Sequence, residues 1–151
     1  MRIEVALAQF TLQLEANGRS PHTIGQYRRH VRSLAAWVGP RRAVEEVGHE
    51  DVARYLSAPV ARTRPDGGLR RAVTMNAVRG SLRGFFAYCR DAGILKENPA
   101  RLLRRARCTP PPPRAIAEAD QTRLLEVIDH PRDRMLVRFM LQTGVRVGSL
   151  V

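Results

Sequence analysis

A chain of 151 residues, 44% apolar and 5% aromatic, has room for one full domain, or for one small domain and part of a second, around a core of mainly Leu, Val, Ala and Met. Its 26 basic and 14 acidic side chains leave a formal charge of +12, and every cation except Lys96 is an arginine. No apolar run approaches the roughly 20 residues that cross a bilayer, and Cys89, Cys108 and the four histidines lack disulfide or metal-ligand spacing, which fits a reduced, cytosolic protein with no metal and no cofactor.

Ile3, Leu7, Phe10 and Leu14 recur at spacings of four, three and four and stop at Asn17-Gly18. This predicts an amphipathic helix with a glycine C-cap, not a signal peptide. Ser20-Pro21 offers an N-cap followed by proline at the first helical position, and Ile24, Tyr27, Val31, Leu34 and Val38 carry a second helix to Gly39-Pro40. A shorter helix is expected over about Glu50 to Ser57, with Val52, Tyr55 and Leu56 inward. Ala58 to Arg71, rich in proline, glycine and arginine, reads as a mobile loop. Thr74 is placed as the cap of a fourth long helix that turns Val78, Leu82, Phe85 and Cys89 inward and ends at Gly93. Asn98-Pro99 then starts a short helix through Leu102 and Leu103. No strand-like alternation appears, so residues 1–105 read as an all-α domain of four to five helices.

Pro110 to Pro113 predict a stiff, extended spacer, and 106–115 is expected to be a linker. Beyond it, Leu124, Leu125 and Ile128 line one helix. Met135, Leu136, Phe139 and Met140 line another, which ends at Thr143-Gly144.

A positive field of this size draws polyanions, with nucleic acid the first candidate and an anionic membrane surface the second. Arginine favours the first, because its planar fork pairs bidentately with phosphates and guanine edges. At about 100° per helical residue, Arg79, Arg83 and Arg90 share one arc of the fourth helix beside Asn76, while Arg28, Arg29 and Arg32 cluster on the second. The ordinary alternative is a solvated helix face, which would carry acidic partners one turn away. No acid occurs between Pro21 and Gly39 or between Val73 and Cys89, so the expectation is duplex DNA against both helices.

The ordered set Asn17-Gly18-Arg19-Ser20-Pro21-His22-Thr23-Ile24 with Tyr27, Val47 to Leu56, Thr74 through Phe86 with Tyr88, and Gly93 to Ala100 resembles the N-terminal, SAM-like core-binding domain of the tyrosine recombinases (phage-type integrases). Ile116 to Asp120 resembles the opening of their catalytic domain, which would occupy 116–151, and Arg132-Asp133 the start of its next helix. The run Thr143-Gly144-Val145-Arg146-Val147-Gly148-Ser149-Leu150 resembles the turn that presents the first catalytic arginine, here Arg146. The resemblance implies a helical domain closing over one face of the duplex, with Arg28, Arg29, Arg32, Thr74, Asn76, Arg79, Arg83 and Arg90 as DNA-binding residues.

It also implies a chemistry in which a tyrosine attacks the scissile phosphate, leaving a 3′-phosphotyrosyl link and a free 5′-hydroxyl. Arginines, not a metal, then stabilise the charge on the non-bridging oxygens. Ser149 stands where the family usually has a glutamate, which removes an acidic support for Arg146. The family's lysine hairpin, His-x-x-Arg pair and nucleophile would lie beyond Val151, and Tyr27, Tyr55 and Tyr88 all fall in the helical domain. The resulting expectation is a truncated, cytoplasmic, nucleoid-associated recombinase that binds double-stranded DNA and is inactive by itself, joined on DNA by further recombinase protomers when the rest of the protein is present. The alternatives are a non-catalytic α-helical protein-interaction module and a regulatory DNA-binding protein.

Overall fold

In the computed structural model, which describes residues 1–109 and 115–149, the apolar stripes become helices close to the expected places. Helices α1 (Ile3–Ala16) and α2 (Pro21–Val38) are joined by a tight turn in which Gly18 takes φ 67°. There the Arg19 N–H reaches the Leu14 carbonyl at 3.0 Å and the Gly18 N–H the Glu15 carbonyl at 2.9 Å, so two of the last carbonyls of α1 are satisfied around a glycine that takes the left-handed turn without a Cβ penalty. Ser20 Oγ accepts the Thr23 N–H at 3.3 Å, and Pro21 follows at the first helical position. Helix α3 is His49–Ser57, entered through Gly48, whose N–H donates to Asp51 Oδ2 at 3.0 Å. The longest helix, α5 (Ala72–Asp91), closes on Gly93 with the same pair of bonds that ends α1, from Ile94 N–H to Cys89 and from Gly93 N–H to Arg90.

Three local features depart from the sequence expectation. The stretch after Ala58 begins with a one-turn helix α4 (Pro59–Arg62), and its tip is closed by Asp66, whose Oδ1 accepts from Gly68 N–H and Arg64 Nε, each at 3.0 Å. Helix α5 starts at Ala72, ahead of Thr74, and no side chain caps it. Nothing between Gly68 and Thr74 breaks a helix, and alanine starts one readily. Asn98 to Leu103 forms turns instead of a helix, because Asn98 Oδ1 captures the Ala100 N–H at 2.8 Å and so replaces the helical pairing.

One core fills residues 1–109. Phe10 of α1 meets Tyr27 of α2 edge-on with ring centres 5.2 Å apart, and meets Phe85 and Tyr88 of α5 at 5.8 and 5.2 Å. Val31, Leu34, Leu82, Phe85, Phe86 and Cys89 are wholly removed from water. Helices α2 and α5 approach closely where Gly84 faces Tyr27: a Cβ on Gly84 would stand 3.1 Å from the ring. One polar pair is sealed into the same crossing, with His30 Nδ1 and Ser81 Oγ 2.8 Å apart and both residues buried. Among the described residues, β pairing is limited to the isolated bridges Arg2–Ala43 and Thr63–Leu69, and the fold is all-α.

The chain divides into two compact units, Met1–Thr109 and Pro110–Val151. In the second, α6 (Glu118–Val127) and α7 (Pro131–Thr143) lie against each other and are followed by a single 3-10 turn at Val147–Ser149. None of its described residues is buried, and Val127, Met135 and Phe139 are exposed. No helix among the described residues is long and apolar enough to cross a membrane.

Candidate nucleic-acid interface

The positive charge is concentrated in one unit. Met1–Thr109 carries 20 basic against 9 acidic side chains and therefore +11 of the chain's +12, while the second unit, with 6 against 5, is nearly neutral. Several kT of attractive potential for a polyanion thus belong to the helical domain.

On α2, Arg28, Arg29 and Arg32 are all exposed, but they do not share one direction. Arg28 and Arg32 lean toward α1, where they meet Glu15 at 3.4 Å and Glu4 at 3.6 Å. The acids missing from α2 are thus supplied by its neighbour. These pairs are long and about half exposed, a class of ion pair worth about 0–1 kcal/mol and readily exchanged for a phosphate. Arg29 lies one helical step further round, on the outer face, and makes no ion pair among the described residues.

On α5, Ser81 and Gly84 face α2, which turns the arc carrying Asn76, Arg79, Arg83 and Arg90 to the opposite flank. That flank is not bare. Asn76 and Arg83 bind the backbone of residues 103–106, and Arg79 Nη1 donates to Asn76 Oδ1 at 3.2 Å. Arg90 pairs with its neighbour Asp91 at 2.7 Å, and Thr74 is exposed in the first turn. The two arginine ridges therefore line the outer flanks of the α2–α5 pair instead of meeting between the helices.

Two groups of cations were not legible in the spacing. Arg70, just before α5, stands near the buried His30, and burial, Arg29 and Arg70 together lower the imidazole pKa to about 4. The ring is held neutral between two fixed positive charges. Arg62 and Arg70 also join Arg79 in a cleft of about 530 Å³ that includes Leu56, Met75 and Leu103. The loop arginine Arg62 thus comes beside a helix arginine from which 17 positions separate it.

In the second unit, α7 ends at Gly144, in the left-handed conformation with its N–H on the Met140 carbonyl at 2.9 Å. Arg146 follows on the surface, and its carbonyl accepts the Ser149 N–H at 2.9 Å. The guanidinium is thus offered from a turn, with no ion pair among the described residues. Tyr55 is 2% exposed, and Tyr27 and Tyr88 pack on Phe10, so all three tyrosines serve the core of the first unit.

The profile of the phage integrase N-terminal SAM-like domain matches residues 7–93. The chain is 29% identical over 140 residues to tyrosine recombinase XerD of Pseudomonas aeruginosa, covering 89% of this chain and 45% of the relative. It is 32% identical over 140 residues to tyrosine recombinase XerC of Xylella fastidiosa, covering 88% and 45%, and 30% identical over 152 residues to tyrosine recombinase XerA of Pyrococcus furiosus, covering 99% and 47%. Among solved structures, the integrase from mycobacterium phage Brujita superposes with a TM-score of 0.58 at 25% identity, over 94% of this chain and 46% of that one. The chain spans slightly under half the length of the relatives it matches.

Proposed function

The chain belongs to the phage integrase family through its N-terminal SAM-like domain, and from that premise we propose that residues 1–109 bind duplex DNA through the cationic flanks of α2 and α5. The observation that carries the reading is the segregation of +11 charges into that unit, with Arg28, Arg29, Arg32, Arg83 and Arg90 exposed, Arg79 half-buried, and the α2 arginines unpaired or held only by weak surface pairs. In this reading the two helices straddle a groove. Arg28, Arg29 and Arg32 take phosphates on one side, and Arg79, Arg83 and Arg90 take those on the other, with Thr74 as a neutral donor. The relatives' name, tyrosine recombinase, supports site-specific recombination or integration as the activity of the whole protein, at the nucleoid and with further protomers on the DNA. Arg146 is then the first arginine that would stabilise charge on the scissile phosphate.

The test is the affinity of the 151-residue chain for duplex DNA from low to moderate salt. Each phosphate contact contributes a slope of about −0.9 in log K against log salt, so a slope steeper than about −4 is expected. Arg29→Ala with Arg79→Ala should weaken binding more than Arg41→Ala with Arg54→Ala, which remove equal charge away from α2 and α5. A flat salt response, or equal losses from the two pairs, refutes a docked face.

A further inference from the structure

The segment from Asn98 to Cys108 is neither a helix nor a free linker. It runs along α5 and is tied there at successive points. Asn98, buried, donates from Nδ2 to the Arg83 carbonyl at 3.2 Å. Arg83 Nη1 donates to the Leu103 carbonyl at 3.3 Å. Asn76 then grips Ala106 from both sides: its Nδ2 donates to the Ala106 carbonyl and its Oδ1 accepts the Ala106 N–H, each at 2.9 Å. The side-chain amide thus imitates a strand edge, and Arg79 on Oδ1 and the Cys108 thiol near Nδ2 fix which way it points.

This attachment sorts the side chains. Ala100 is fully buried and Leu103 and Ala106 are half-buried against the helix, whereas Arg101, Arg104, Arg105 and Arg107 are exposed. The segment itself carries no acid, and Glu97, just before it, sits at 3.7 Å from Arg101. Arg104, Arg105 and Arg107 have no ion pair among the described residues. They form a short comb of like charge on a fixed backbone. At about 3.3 Å per extended residue the comb covers roughly 10 Å, over which a duplex presents several phosphates.

We propose that residues 103–107 form a pre-ordered strap whose Arg104, Arg105 and Arg107 bind the phosphate backbone of duplex DNA, and that Asn76 is the positioning residue that holds the strap in register. The inference rests on the duplex-DNA reading and adds to it a contact surface outside α2 and α5. It also gives Asn76 a different task from base or phosphate contact: both ends of its amide are occupied within the protein. Because the backbone is already fixed, binding a phosphate here does not first have to order a linker.

Three proteins test the strap, each as the full 151-residue chain titrated with duplex DNA across salt. The triple variant Arg104→Gln, Arg105→Gln, Arg107→Gln should lower the steepness of the salt response by about 2 to 3, one contact per arginine. Asn76→Ala leaves the net charge unchanged, yet should lose roughly three- to tenfold in affinity and release the Ala106 amide to fast hydrogen exchange without DNA. Combined with the triple variant, Asn76→Ala should cost less than twofold, since both changes remove one device. An unchanged salt slope in the triple variant, while the parent still binds steeply, overturns the strap and leaves the duplex-DNA reading intact. Additive losses overturn the role of Asn76 as a clasp. A parent chain that fails to bind overturns both.

Discussion

Replacing His30 by asparagine removes the one imidazole in the α2–α5 crossing while keeping an amide near the position of Nδ1, within reach of Ser81. The imidazole is held neutral first by burial and then by the Arg29 and Arg70 charges, with its pKa lowered from 6.5 to about 4. Unfolding frees it to titrate normally. Between those two values the unfolded chain binds more protons than the folded one, so stability must fall as pH falls. A displacement of this size corresponds to about 3 kcal/mol over the whole window and about 2 kcal/mol between pH 7 and pH 5. Trp37 is the sole tryptophan and its ring lies 5.9 Å from Tyr55, so its fluorescence follows unfolding of the first unit. Urea titrations at pH 7 and pH 5 should show the parent losing about 2 kcal/mol more than His30→Asn, the other histidines being common to both. Parallel losses would show that the ring is protonated in the fold and that the crossing tolerates the charge.

The two thiols should separate cleanly. Burial pushes the Cys89 thiol up to about 12, whereas Cys108 is exposed, so a maleimide at neutral pH should label one site in the native protein and two in denaturant. Limited proteolysis should cut after Pro113 well before it cuts residues 1–105, because no described side chain of the second unit is buried; equal resistance of both halves would contradict this. A nicked suicide duplex should trap no covalent adduct with this chain, since Tyr27, Tyr55 and Tyr88 are committed to the core.

The helices were legible because each is written in local spacing. Ile3, Leu7, Phe10 and Leu14 recur at helical intervals and are among the residues α1 buries, with Ala6 and Thr11 beside them, and Asn17-Gly18 stops it where a left-handed residue is needed. The same holds for Val78, Leu82, Phe85 and Cys89 on α5. What the spacing does not carry is the angle at which one helix crosses another. Acid-free runs on α2 and α5 suggested unanswered charge, but Glu4 and Glu15 lie on a different helix and reach across. Asn76, Arg79 and Arg83 share an arc as expected, yet that arc faces residues 103–106, a contact across about 20 to 30 positions that no periodicity encodes. The family resemblance rested on ordered turns and stripes, which are local, and it is the part of the reading that the matched profile supports over residues 7–93.

Glu4 and Glu15 also act as resident rivals of any incoming phosphate. Each must let go before Arg28 or Arg32 can change partner, so the benefit at those two positions is a difference between two anions and not the full attraction of one. Stray polyanions therefore adhere more weakly than a count of 26 cations alone would suggest.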